Sequence, residues 1–185
     1  MDFIKFSTVD FIKSKGYLVF DTDKLSHELL ITLKSEIITA FKNYDILENN
    51  DISRKKLGNL VFANPKHKKN LENIIYPKLK LKLENIFEEN KNQKFIFISI
   101  PLLFEVGWQN LFDKIIFVKT DDKIRLKRLM TRNSISEQEA LLRINSQKPQ
   151  DEKIAKSDFI ICNNDDILTL QNKTDEIIIL LEAME

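Results

Sequence analysis

Four of the five arginines, Arg125, Arg128, Arg132 and Arg143, fall within nineteen residues of a chain whose other basic side chains are almost all lysines. Where lysine supplies ordinary surface charge, clustered arginine points to a need for its planar, bidentate fork, which matches phosphate. On a helix turning about 100° per residue, Arg125, Arg128 and Arg132 lie within roughly 60° of one another and form one basic stripe. Arg143 and Gln147, four apart, share a face of the next helical pattern, so two adjoining helices could close on a polyphosphate. A solvated helix face fits the same stripe.

A second pair with chemical potential is Asp21 and Asp23, next-but-one neighbours at the end of an apolar run. One side chain can look into a crevice and orient a hydroxyl or hold a metal-bound water while the other caps a following helix. The alternative is that both merely cap the following helix, since aspartate is a favoured N-cap. His27, a turn later, reads as a partly buried polar residue, Cys162 as an inert core thiol and Trp108 as packing.

Carboxylates and arginines at these places require elements that hold them. Continuous apolar runs at 17–20, 95–100, 114–118 and 158–161 predict strands covered on both faces. Helical patterns run over 7–15, from about 121 to 132 with Thr120 as cap, and from about 165 to 183. Ser136 followed by Glu139 is a capping box for another helix. The alternation predicts an α/β fold, a parallel sheet with helices on both faces, with ligands gathered beyond the C-terminal ends of the strands. The turns at 21–23 and 101–105 fall at such ends. Residues 34–90 break the rhythm: Ser53, Asn64-Pro65 and Tyr76-Pro77 look like helix starts and no strand is expected between them. The predicted organisation is a core of 1–33 and 91–185, with a lid at about 131–150 and a helical insertion over 34–90.

Composition narrows the chemistry. The 185 residues are 43% hydrophobic and carry a net charge of +1, enough for a real core and too balanced for broad nucleic-acid binding. One cysteine and two histidines exclude an internal disulfide, a cysteine-rich zinc site and the usual histidine-built metal sites. The longest apolar stretch, 95–104, is too short to span a bilayer, and the N-terminal residues lack a signal-peptide pattern, so a cytoplasmic protein without membrane contact is expected. The three glycines, Gly16, Gly58 and Gly107, are far apart, so the sequence contains neither a G-x-x-x-x-G-K-[ST] loop nor a G-x-G-x-x-G fingerprint. Oligomeric state has no signature here.

Seven segments nevertheless occur together in a recognisable order. They are Ser7-Thr8-Val9; Gly16 to Asp23 with His27 following; Ser53 to Leu57 with Val61 to Asn64; Pro101-Leu102-Leu103-Phe104-Glu105; Arg128 to Asn133; Arg143 to Gln147; and Asp158 to Asn163. In order and approximate spacing they resemble the dephospho-CoA kinase family over nearly the whole chain. The resemblance implies a P-loop-type nucleotide kinase that moves the γ-phosphoryl of ATP to the ribose 3′-hydroxyl of dephospho-CoA, the last step of coenzyme A synthesis, with Mg²⁺ accompanying ATP. It implies Asp23 as general base. Asp21, His27, Arg54, Pro101 and Leu102 fall on the substrate side, with the 34–90 insertion holding dephospho-CoA. Ser7, Thr8, Arg128, Arg132, Arg143, Gln147 and Asn163 fall on the ATP side, with Asn163 near the adenine and Ser7 as a Mg²⁺ ligand once a P-loop stands before it.

The family pattern is not met everywhere. Phe6 stands where the loop lysine belongs, Met1 to Lys5 contain no glycine, Tyr76 stands where members often have histidine, and Ser99 where some have a carboxylate. The expectation is a dephospho-CoA kinase whose recorded start lies downstream of a strand and P-loop. The alternatives are a catalytically silent homologue that still binds CoA-type ligands and, in another class, a small α/β structural module. Without the strand that the family places between 95–100 and 114–118, two unpaired ladders or a forced pairing of those strands is expected.

Overall fold

The structure, a computed structural model, describes residues 8–184, so Ser7 lies outside the described residues. Helix α1 (Thr8–Ser14) leads through Gly16 into β1 (Leu18–Asp21). Gly16 has φ of +91°, a left-handed conformation that only glycine adopts without strain, and this turns the chain out of the helix and into the strand. Helix α2 (Thr22–Thr32) follows β1 directly, then come α3 (Lys34–Ala40), β2 (Leu47–Glu48), β3 (Asp51–Ile52), α4 (Arg54–Ala63), α5 (Pro65–Glu89) and β4 (Ile96–Ser99). The remainder runs α6 (Leu103–Val106), a 3-10 turn at Gln109–Leu111, β5 (Ile116–Lys119) and α7 (Asp122–Asn133). It ends with α8 (Glu137–Asn145), α9 (Gln150–Ile154), β6 (Phe159–Cys162) and α10 (Ile167–Glu182).

These elements form two compact units, one of Leu18–Ile100, the other of the residues up to Tyr17 together with those from Pro101 onward. In the first unit β1 and β4 pair in parallel, with Leu18 opposite Ile96 and Asp21 opposite Ser99. The Thr22 hydroxyl donates to the Ser99 carbonyl at 2.9 Å, which fastens the start of α2 to the end of β4. The buried heart of this unit is Ile37, Phe41, Ile46 and Leu57, packed by Leu30, Leu33, Leu71 and Ile74. Helix α5 lays Ile75, Leu79, Leu83 and Ile86 along one buried stripe. In the second unit β5 and β6 pair in parallel, from Ile116 opposite Phe159 to Lys119 opposite Cys162. The parallel α/β character read from the apolar runs is met in both strand pairs. No helix among the described residues is long and apolar enough to cross a membrane.

Several local expectations are corrected. Tyr76-Pro77 does not start a helix, because Pro77 lies inside α5. An internal proline removes one helical hydrogen bond and costs about 3 kcal/mol. Here Ile75 and Leu79, buried on either side of it, each contribute about 1.5–3 kcal/mol of apolar burial, which offsets that cost. Residues 34–90 do contain strands: β2 and β3 form an antiparallel hairpin, with Leu47 opposite Ile52. Its turn is Asn49-Asn50, with φ of 51° and 65°, the two positive values that a tight primed turn demands and asparagine tolerates. The cap of α7 is Asp121 rather than Thr120. The capping box of Ser136 and Glu139 on α8 forms as read. Cys162 is exposed, not a core thiol. Leu18, Val118 and Ile160 keep exposed surface, so the strands are not covered on both faces throughout.

Candidate active site

The carboxylate pair sits in the Leu18–Ile100 unit. Asp21 is the last residue of β1 and the N-cap of α2, its Oδ1 accepting from the Asp23 backbone N–H at 2.9 Å. Asp23 is thereby freed of capping duty and stands in the first turn of α2. Its carboxyl is held above the ordinary aspartate value of 3.8, chiefly because neighbouring atoms displace part of its water, then because the Asp21 charge repels its ionised form. The Arg54 guanidinium pulls in the opposite direction, which puts Arg54 in the electrostatic neighbourhood of Asp23. Asp21, Asp23 and Arg54 are therefore brought together, while His27 is exposed further along α2.

Arg54 owes its place to the hairpin that the sequence did not reveal. It is the first residue of α4, directly after Ser53. The buried Ser53 donates its hydroxyl to Glu48 Oε2 at 2.9 Å and its backbone N–H to the Ile46 carbonyl at 2.8 Å. Lys56, two residues further on in the first turn, reaches the Leu47 carbonyl at 2.7 Å and the Asp45 carboxylate. These bonds tie the start of α4 to β2 and fix where Arg54 leaves the chain.

The remaining site candidates belong to the other unit. Thr8 opens α1, Pro101 is exposed in the turn after β4, and Leu102 is the N-cap position of α6. On α7, the Arg128 guanidinium donates to the backbone carbonyl of Asn163 at 2.7 Å, to Asn163 Oδ1 at 3.2 Å and to the Asp165 carbonyl at 3.4 Å. Arg128 and Asn163 are thus joined, and with them α7 and the loop between β6 and α10. Arg125, which the resemblance passed over, donates to Gln147 Oε1 at 2.7 Å and so links α7 to the segment following α8. Arg132 donates its Nε–H to Asn133 Oδ1 at 3.0 Å and is exposed. Arg143 is exposed on α8, where its charge lowers the pKa of Glu139 after the larger effects of the Ser136 bonds.

Sequence reasoning also passed over Gln150. Its amide donates to the Thr120 carbonyl and to Asp122 Oδ1, both at 2.9 Å, holding the entry of α7. A lone glutamine thirty residues downstream carries no signal that could have found it. Among the described residues no group of three or more histidine, cysteine or acidic side chains comes together to hold a metal. The Mg²⁺ expectation rested on Ser7, which lies outside those residues.

Comparison with known proteins supplies the context for this geometry. A family profile described as dephospho-CoA kinase matches residues 5–169. The chain is 33% identical to a dephospho-CoA kinase of Helicobacter pylori over 174 residues, covering 92% of this chain and 88% of the relative. It is 35% identical to that of Fusobacterium nucleatum over 172 residues, covering 91% and 89%. Among solved structures it resembles a dephospho-CoA kinase from Campylobacter jejuni, with a TM-score of 0.74, 32% identity and coverage of 96% and 92%. A Thermus thermophilus crystal structure matches with a TM-score of 0.79 and 26% identity, covering 92% and 87%. With a profile match over most of its length and relatives above 30% identity across nearly all of it, the chain belongs to the dephospho-CoA kinase family.

Proposed function

We propose that the protein transfers the γ-phosphoryl of ATP to the ribose 3′-hydroxyl of dephospho-CoA, in the cytoplasm. Asp23 accepts a hydrogen bond from the acceptor hydroxyl and takes its proton as the oxygen attacks. The new P–O bond forms at the γ-phosphorus, the bond to the β-bridging oxygen breaks, and ADP leaves with that electron pair. Such a reaction asks for positioning and charge neutralisation more than covalent chemistry. Arg54 and the segment over 34–90 hold dephospho-CoA, with Asp21 and His27 on the acceptor side. Arg128, Arg132, Arg143 and Gln147 meet the nucleotide through a lid over about 131–150, Thr8 lies toward its phosphates and Asn163 toward its base.

The observation that carries this reading is the state of Asp23. At the exit of a parallel strand, its carboxyl is made more basic by partial desolvation and by Asp21, as a proton acceptor requires. The 185 residues contain no glycine-rich phosphate loop, and Phe6 carries no ammonium. The test therefore uses the chain itself and the chain preceded by a strand and a G-x-x-x-x-G-K-[ST] loop. Dephospho-CoA is titrated into both, and formation of the 3′-phosphorylated product is followed. The reading expects dephospho-CoA binding by both forms, with strong ATP binding and transfer in the loop-bearing form. Binding without transfer in either form would favour the CoA-binding module, and binding by neither would overturn the reading.

A further inference from the structure

Glu105, the last residue of the 101–105 segment, takes no part in the chemistry above, yet it is the centre of a buried charged cluster. Its Oε1 accepts from the Lys153 ammonium at 2.7 Å and from the Lys148 backbone N–H at 3.0 Å. The Lys148 ammonium in turn donates to the Phe104 carbonyl at 2.7 Å. The side chains of Lys153 and Glu105 are only 5% and 16% exposed. Burial alone would raise the Glu105 pKa, but the bonds from Lys153 and Lys148 outweigh it and bring the carboxyl below its ordinary value of 4.5, so it stays ionised. Its other oxygen, Oε2, is buried and has no hydrogen-bond partner among the described residues. A charge sequestered this way is costly to leave unpaired.

Lys148 lies between α8 and α9, immediately after Gln147. Helix α8 packs along α7 with Ala140 buried and Leu141 and Leu142 exposed, and beyond that seam its C-terminal end is held by the Arg125–Gln147 bond and by the contacts at Lys148. One end is Ser134, left-handed with φ of 51° at the close of α7. The other is Lys148, gripped by main chain and side chain at once. We propose that Glu105 is a positioning residue that anchors the main chain at Lys148, fixing the C-terminal pivot of the segment that carries Arg143 and Gln147, with Lys153 as its counter-ion. The nucleotide role of that pivot rests on the lid reading given above.

Two double variants of the 185-residue chain separate an anchor from a merely stabilising ion pair. Glu105→Gln with Lys153→Met removes both charges and keeps an acceptor for the Lys148 N–H. Glu105→Leu with Lys153→Met removes both charges and the acceptor. Amide exchange of Lys148 should be about tenfold faster in the second variant than in the first, the loss of one buried hydrogen bond, while their melting temperatures stay close. Equal exchange at Lys148 in the two variants would overturn the anchor, whatever their stability. If Glu105→Leu prevents folding, Glu105→Met replaces it in the same comparison. In the loop-bearing form the same pair tests the consequence: ATP binding about fivefold weaker in the second variant, with dephospho-CoA affinity unchanged, is the expected result for a hydrogen bond of this strength. An exchange difference without any change in ATP binding upholds the anchor and counts against the lid reading alone.

Discussion

The carboxylates of the Leu18–Ile100 unit and the arginines of the other unit are held in opposite ways. Asp23 is under-neutralised: desolvation and the Asp21 charge push against its ionisation, and the Arg54 charge opposes them. Arg128 is oriented by three acceptors, two backbone carbonyls and an amide oxygen, all neutral. Arg125 likewise takes the amide oxygen of Gln147, with Asp122 at a looser 3.9 Å. Neutral oxygens orient a guanidinium without cancelling its charge, so the field available to a phosphate survives. On the proposed reading, the proton acceptor is prepared by leaving its charge uncomfortable, and the phosphate binders by fixing their direction while leaving their charge intact.

The sharpest way to break this contrast is to remove the charge of Asp23. In the loop-bearing form, Asp23→Asn should lower turnover by roughly 10²–10⁴-fold, the usual range for lost general-base help, with dephospho-CoA affinity retained. Steady-state kinetics beside a binding titration check it, and unchanged turnover in a folded variant would remove Asp23 from the role. Next come the arginines. Arg132→Lys or Arg143→Lys keeps the charge and loses the fork, and each should reduce turnover about tenfold with little change in melting temperature. Arg128→Lys should do both, since it also releases the loop at Asn163 and Asp165. A thermal loss with normal kinetics at all three would identify a structural network instead.

Smaller effects follow from the titrations. Glu105 has a lowered pKa in the folded chain, so its contribution to stability is complete above the ordinary value of 4.5 and lost as pH falls through the lower folded value. A melting series below neutrality should show an acid decline that the Glu105→Gln, Lys153→Met variant flattens. Asp23 has the reverse sign. Its raised pKa means that it favours the fold only in acid, below 3.8, and that this contribution disappears as pH rises through the folded value. Asp23→Asn should therefore melt slightly higher than the parent at neutral pH and lose that advantage in acid.

Local and periodic signals were legible in the sequence; cross-chain ones were not. The four long apolar runs became β1, β4, β5 and β6 within a residue or two at each end, because burial writes itself into composition. Asp21 could be read as a cap and Ser136 with Glu139 as a box, because each acts on its own first turn. The hairpin at 47–52 has two residues per strand, too few to show any alternation, and only Asn49-Asn50 marked it. Pro77 misled because a proline favoured at a helix start is also tolerated inside a helix when buried neighbours hold the turn. In the candidate site, the stripe and the resemblance supplied the residues to look at, Asp21, Asp23 and Arg54 on one unit and the arginines on the other. The partnerships of Arg128 with Asn163, Arg125 with Gln147 and Glu105 with Lys153 span long stretches of chain, and no spacing rule encodes them.

The claim that Asp23 is prepared for proton transfer by its surroundings is tested most directly by the pH dependence of turnover in the loop-bearing form, with and without Asp21→Asn. Asparagine caps a helix as well as aspartate does, so α2 keeps its start while the repelling charge is removed. The Asp23 carboxyl then loses one of the two influences that raise its pKa. It should ionise at lower pH, and the acid limb of the profile should move to lower pH while the variant melts as the parent does. An acid limb that stays in place, or moves to higher pH, would contradict the account.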